Sequence, residues 1–194
     1  MASNYCINLA DYYCNGCITA ELGRIRAVAY YLKEYTFTDP SSTQEWFDVV
    51  CNGVGIIIPE VRGTYDGGTA VEGGGYGDVP TRRSSANHSS EYFHLFDCDN
   101  VDFYNQLNQF SGKMNFAYIT ETKIFLSNKP VYVTASAPIT DDTNSNMEYH
   151  VKVMWSNINI PTCYNRPSQI FDSCAKITDL QACLTCNPIV ITPC

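Results

Sequence analysis

The sequence predicts a mainly β fold, an antiparallel sandwich or barrel, with one or two short helices and cysteine-rich extended ends. Three observations predict it. Short apolar or alternating runs separated by Gly, Asn, Asp and Pro recur from Ile25 to Ser156, the pattern of strands joined by turns. A clear helical stripe is confined to Val101–Phe110, where Phe103, Leu107 and Phe110 fall at i, i+4 and i+7. Eight of the ten cysteines cluster toward the ends and leave the middle cysteine-poor. With 194 residues the chain is long enough to bury one core of its own. The reading divides it into a cysteine-rich extension over 1–24, a β-rich core over 25–160 with a Gly-rich loop near 66–80, and a cysteine-rich tail over 161–194.

Taken in order, Ile25 to Leu32 is an apolar, β-prone run of the length of a buried strand. Ser41-Ser42-Thr43-Gln44-Glu45 reads as a capped start to a short helix carrying Trp46, Phe47, Val49 and Val50. Between Gly55 and Tyr65, Pro59 interrupts Ile56-Ile57-Ile58, and a residue without an N–H predicts an edge strand or a bend. Gly67 to Asp78, with Gly73, Gly74, Gly75, Tyr76 and Gly77, reads as a flexible loop. These last five residues are the expected contacts with neighbouring subunits, as an arm or a lumen-facing loop.

His88 to Phe96 alternates as a strand, with Tyr92, His94 and Phe96 on one face and Phe93 and Leu95 on the other. Asp99-Asn100 is placed to cap the following helix. Phe116–Thr120, Ile124–Ser127, Val131–Ala135 and Tyr149–Ser156 then predict an antiparallel meander, with turns at 128–130 and 141–146. From Pro161 onward the prolines and the lack of any period predict an extended tail.

Hydrophobic residues make up 45% of the chain and charged residues only 16%, against roughly 25% charged in soluble domains. Asn, Ser, Thr, Gly and fourteen tyrosines must cover much of the surface, and Tyr suits half-buried and interface positions. The formal net charge of −8 with twelve scattered basic residues argues against tight nucleic-acid binding, because counterion release needs clustered Lys and Arg, and no sequence-specific nucleic-acid binding is expected. An acidic wall would repel DNA passing beside it. No apolar run reaches the roughly 18 residues of a membrane span, and Met1-Ala-Ser-Asn-Tyr-Cys6 does not read as a secretory signal, so the expectation is either synthesis in a cytoplasm or a chain already processed.

The cysteines leave alternatives open. Cys14-Asn-Gly-Cys17 and Cys183-Leu-Thr-Cys186 have the spacing of two zinc knuckles, but they lie far apart in sequence. Disulfides or thiols among Cys6, Cys14, Cys17, Cys163, Cys174, Cys183, Cys186 and Cys194 explain the same count. A thioredoxin-type site would need a strand before the motif, and Asn8–Tyr13 is not a convincing one.

Other chemistry is thin. Gly73–Gly77 lacks the strand-to-helix context of a phosphate loop. His88, His94 and His150 show no paired metal spacing, although His88 and His94 are candidates to meet Asp97. Asp141-Asp142 reads as a turn more readily than as a calcium loop, since the segment lacks the glycine and final glutamate. Asn87-His88-Ser89 fits a glycosylation acceptor, relevant only in a secreted eukaryotic product. No GxSxG and no catalytic cysteine context occurs. The expectation is a non-enzymatic chain without a cofactor.

Ile58-Pro59-Glu60, Tyr76-Gly77-Asp78, the Asp97–Asn100 cluster feeding Val101–Asn105, Pro130–Val133, Asp141-Asp142 and Val151–Ser156 follow an order that resembles small virion structural proteins of tailed phages infecting Bacteroidetes, the crAss-like group among them. The resemblance covers roughly half the chain. It implies a ring or tail-tube-like subunit of the tail, a homo-oligomer that contacts neighbouring tail or connector proteins, is assembled in the host cytoplasm, resides in the virion and forms a conduit for the genome. The cysteine-rich ends depart from that pattern. A secreted or surface carbohydrate-binding β-sandwich, stacking aromatics on sugars, is the rival expectation.

Overall fold

The computed structural model describes residues 23–74, 82–139, 146–167 and 171. Within them the chain forms two antiparallel sheets and two α-helices and closes no barrel, so the sandwich expectation holds and the barrel alternative does not. The first sheet has the order β10-β7-β6-β1-β2, from Thr162–Asn165 (β10), Lys123–Leu126 (β7), Met114–Ile119 (β6), Ala27–Leu32 (β1) and Gly55–Ile58 (β2). The second has the order β3-β5-β9-β8, from Arg62–Tyr65 (β3), Arg82–Leu95 (β5), Glu148–Ser156 (β9) and Tyr132–Ser136 (β8), with Thr69–Gly73 (β4) also on β5.

The sequence patterns follow from where each strand sits. In β9, Tyr149, Val151, Val153 and Trp155 are buried while the residues between them are exposed, a period of two that covers one wet and one dry face. By contrast, β1 and β6 are buried along almost their whole length. Their inner face, with Val28, Tyr30, Phe116 and Tyr118, packs against Tyr92, Val151, Val153 and Trp155 of the second sheet. Their outer face, with Ala29, Tyr31, Ala117 and Ile119, is covered by Trp46, Val49 and Val50 of helix α1 (Thr43–Cys51) and by Phe171. Strands dry on both sides read as continuous apolar runs.

Helix α1 begins where its cap predicts. The Ser42 side chain accepts from the Glu45 N–H at 3.3 Å, satisfying one of the donors a helix start leaves open, and the Glu45 carboxylate accepts from the N–H groups of Thr38 and Asp39 in the preceding loop. Trp46, fully buried, donates its indole N–H to the Pro40 carbonyl at 2.9 Å and packs against Phe37, Tyr31 and Phe171. Gly55 lets this helix lie on β2, since a Cβ there would come within 2.6 Å of Val49 and 2.8 Å of the Tyr30 carbonyl.

Four expectations need correction. Thr69–Gly73, read as part of the Gly-rich loop, is strand β4, held by its ladder to Arg82–Asn87. The long partner β5 supplies hydrogen bonds that outweigh weak local β preference. The four-strand meander is instead two pairs in different sheets: β6 and β7 pair in the first, β8 and β9 in the second, with the crossing at 127–131. There the buried Ser127 hydroxyl accepts from Phe116 N–H and donates to the Lys129 carbonyl. Residues 162–165, assigned to the tail, form β10 against β7. Finally, the cap before helix α2 (Val101–Gln109) is Asp97, which accepts from Asp99 N–H in a 3-10 turn, while Asn100 makes no side-chain cap bond.

Helix α2 closes the open side of the sandwich beside β8. The Asn108 amide donates to the Ala135 carbonyl (3.2 Å) and accepts from the Ala135 N–H (2.7 Å), and the Ser111 hydroxyl accepts from the Val133 N–H (2.9 Å). Side chains thereby occupy backbone groups that a free sheet edge would expose. Asn108→Ala should lower stability by about 1–3 kcal/mol in urea denaturation, the cost of stranding two partly buried backbone groups. It should also increase association at high concentration by uncovering the β8 edge.

Candidate functional site

The residues with chemical potential are dispersed, and their partners account for them. His88 lies on β5 opposite a β-bulge: Tyr65 pairs with Ser90 and Thr69 with Asn87, so 66–68 face only 88 and 89. The bulge is set by Asp66, whose carboxylate accepts from the N–H groups of Gly68 and Ser89, and by positive φ at Gly67 and Gly68. His88 is 1% exposed. Its Nε2 donates to the Asn157 carbonyl (3.0 Å), its Nδ1 meets the Tyr65 hydroxyl (2.6 Å), and its ring stacks on Trp155 at 5.2 Å. Both nitrogens are occupied inside the core, so His88 ties β5 to β3 and to the end of β9 within the second sheet and does not meet Asp97.

His94, at the other end of β5, does lie in the field of Asp97. Its Nδ1 meets the Tyr104 hydroxyl at 3.0 Å, and its ring stacks on Tyr149. Burial lowers its pKa below the ordinary value, against the opposing pull of the Glu60 and Asp97 charges. His150 is exposed on the outer face of β9, edge-on to Phe93. Among the described residues no three His, Cys, Asp or Glu side chains gather as a metal would require. Burial also pushes the tyrosine hydroxyls up, Tyr65 to about 12 and Tyr30 and Tyr118 further. The Tyr30 and Tyr92 hydroxyls pair at 3.0 Å across the interior.

Several expected site residues lie outside the described residues: Cys6, Cys14, Cys17, Cys174, Cys183, Cys186 and Cys194, Gly75, Tyr76 and Gly77, and Asp141-Asp142. Of the disulfide candidates, Cys163 alone is described, exposed in β10. Gly73 pairs with Arg82 at the end of β4, with Gly74 directly after it.

What sequence reasoning missed is a surface. An apolar groove of about 340 Å³ runs beside the β2 edge, with Val54, Gly55 and Ile56 on one wall, Phe103, Gln106, Leu107 and Phe110 of α2 on the other, and Tyr30 and Met114 between. Leu32 donates to the Val54 carbonyl, and Tyr30 stands opposite Ile56. By the alternation of an antiparallel ladder, the backbone groups of Gly55 and Ile57 therefore point away from β1; Gly55 lines the groove, whereas Ile57 is buried and does not.

The other edges are blunted in ways known to discourage pairing. Asn108 and Ser111 plug β8, Ile25 N–H bonds to the Gly63 carbonyl of β3, β4 carries an irregularity at Val71/Glu72, and β10 runs only from Thr162 to Asn165 between Pro161 and Pro167. By contrast, β2 is Gly-Ile-Ile-Ile, without a charge or an irregularity. The signal available in sequence was the Phe103–Leu107–Phe110 stripe, of which Leu107 enters the core while Phe103 and Phe110 stay half-buried at the groove.

A second, polar cleft of about 350 Å³ is lined by Arg24, Arg26, Glu60, Val61, Arg166 and Phe171. Arg26 is ion-paired with Glu121, and Arg166 donates to the Thr120 carbonyl, so much of its positive charge is answered locally.

Two measurements test this account. Gly67→Ala, strained by φ +81 but in open space, should cost about 1–2 kcal/mol. Gly68→Ala should cost clearly more, because its Cβ would also come within 2.5 Å of the His88 ring. For His94, a folded-state pKa below the unfolded one makes its contribution complete above about pH 6.5 and progressively lost as the pH falls. Urea midpoints should therefore drop between about pH 7 and pH 5 more in the native chain than in His94→Gln. Comparisons with protein-family models, curated proteins and solved structures give no match for this chain.

Proposed function

We propose that this chain is a structural subunit whose activity is contact: it joins copies of itself into a ring or tube in the tail of a phage virion, a conduit for genome delivery. The observation that carries the proposal is the apolar groove beside β2, an edge strand with no partner strand beyond it among the described residues, in a molecule that blunts its other edges. Strand edges of this kind are templates for another chain, and ring assembly is the closed form of repeated head-to-tail pairing. The resemblance to virion proteins supplies the setting, and the low charge and tyrosine-rich composition suit polar-aromatic contacts.

Support for the non-enzymatic part comes from the polar residues themselves. His88 and His94 are held by tyrosines, and Tyr104, Tyr149 and Tyr92 bond to groups of the fold. A sugar-binding role is poorly supported, because it needs a solvent-facing aromatic platform. Among the described residues Tyr132, 63% exposed, is the aromatic side chain left mostly in solvent. No described helix is long and apolar enough to cross a membrane.

Light scattering after size exclusion, with and without reductant, should give a large species of uniform mass that persists when disulfides are reduced. Averaged negative-stain views should show a central hole. Gln106→Arg, which sets a charge on the groove wall from an exposed position, should shift the chain toward monomer while changing stability by no more than about 0.5 kcal/mol. A monomer at every concentration, or turnover of a substrate, would end the proposal.

A further inference from the structure

We infer that His94 and Tyr104 form a pH-sensitive latch: acidification loosens helix α2 from the sandwich and so uncovers the β8 edge that α2 plugs. Such a latch operates whether or not the chain forms a ring. Helix α2 is held at two places. Toward its end, Asn108 and, in the turn after the helix, Ser111 occupy the outward backbone groups of Val133 and Ala135. Near its start it is anchored by Tyr104, 3% exposed, whose ring stacks on Tyr149 at 4.0 Å and whose hydroxyl meets His94 Nδ1 at 3.0 Å. Tyr149 in turn donates to the Asp97 carbonyl at 2.6 Å, which ties the same cluster to the turn that leads into the helix.

The cluster suits a neutral His94 ring. The Tyr104 hydroxyl makes no other hydrogen bond among the described residues, so its proton is satisfied when the neutral ring accepts it at Nδ1. A protonated ring carries an N–H donor at both nitrogens. Its Nδ1–H then points at the hydroxyl oxygen, and the Tyr104 proton is left without an acceptor in a buried position, which a dry interior penalises. Moving α2 outward lets water solvate both groups. Around the ring, burial disfavours the cation more than the carboxylates of Glu60, in the turn after β2, and Asp97 favour it. Tyr104 and Tyr149 stay neutral, because burial raises their pKa. Arg62 and Glu148 pair with each other and stand opposite Phe93 and Leu95 in the ladders, on the other face of β5. The closed form therefore holds the His94 proton more weakly than a form with α2 loosened, and a falling pH shifts the balance toward the loosened form. An element attached at a few points opens before the central strands do.

Hydrogen exchange read by mass spectrometry tests the latch on the full chain, in whichever oligomeric state it adopts. It is measured at about pH 7.5 and about pH 5.5, on either side of the ordinary histidine value, with the intrinsic pH dependence of exchange divided out. Peptides covering Val101–Gln109 and Tyr132–Ser136 should lose protection roughly threefold or more at the lower pH, while those covering Ala27–Leu32 and Met114–Ile119 hold theirs. In His94→Gln and His94→Asn, two replacements that do not titrate, the difference between the two pH values should disappear. In His150→Gln, which alters an exposed histidine, it should persist. Protection that falls equally in all four segments, that does not change with pH, that keeps its pH dependence without His94, or that loses it in His150→Gln overturns the latch and leaves the subunit reading standing.

Discussion

The constraint on which this fold depends is that β1 and β6 are dry on both faces. One face must meet the second sheet and the other must be roofed, so the chain builds three layers, with α1 and Phe171 as the roof. Their pairing runs over six residue pairs, from Ala27 opposite Ile119 to Leu32 opposite Met114. It fixes where everything else attaches, with β2 beyond β1 and β7 then β10 beyond β6. A sheet ordered this way has two outer edges. The fold leaves the β10 edge flanked by prolines and the β2 edge beside a groove.

The interior is unusually aromatic, and that governs its polar chemistry. Tyr65, His88 and Trp155 stack in near-parallel planes, Tyr118 stacks on Tyr65, and Tyr104 on Tyr149 at 4.0 Å. Large rings bury much area per residue and prefer specific offsets, so a few of them define the spacing between the sheets. Their hydroxyls need partners in a dry interior. The histidines, a second tyrosine and the Asp97 carbonyl supply them. This is the physical reason that side chains with catalytic potential are consumed here as struts.

Much of the fold was legible because local pattern and final environment agree. The alternation in β9, the Ser42 cap and the α2 stripe each report a period or a cap that tertiary contacts later reinforce. Legibility failed where a distant partner decides. Thr69–Gly73 looks like loop because glycines dominate its neighbourhood, and only the length of β5 makes it a strand. The break between β7 and β8 depends on how Ser127 turns the chain from one sheet to the other, which spacing alone does not encode. The candidate site was hidden for the same reason. Asn108 looks like an ordinary solvated helix residue and Ser111 like part of the turn after it, yet they close one edge. Gly55–Ile58 looks like an ordinary buried strand, yet its first two residues, Gly55 and Ile56, line a groove.

The edges also explain why so little charge is needed. Soluble β proteins commonly guard their edges with lysines and other inward-pointing charges, and this chain, beyond Arg62 on β3 and Glu72 on β4, uses side-chain plugs, irregularities and prolines that add no charge. Such devices block pairing at chosen edges while leaving the surface as a whole weakly charged and able to approach another copy. Selective blocking is worth more to an assembling subunit than uniform repulsion, because it sets direction. When one edge of a sheet stays able to pair and the rest are closed, association proceeds through that edge alone. A directional contact of that kind is what distinguishes a ring from an aggregate.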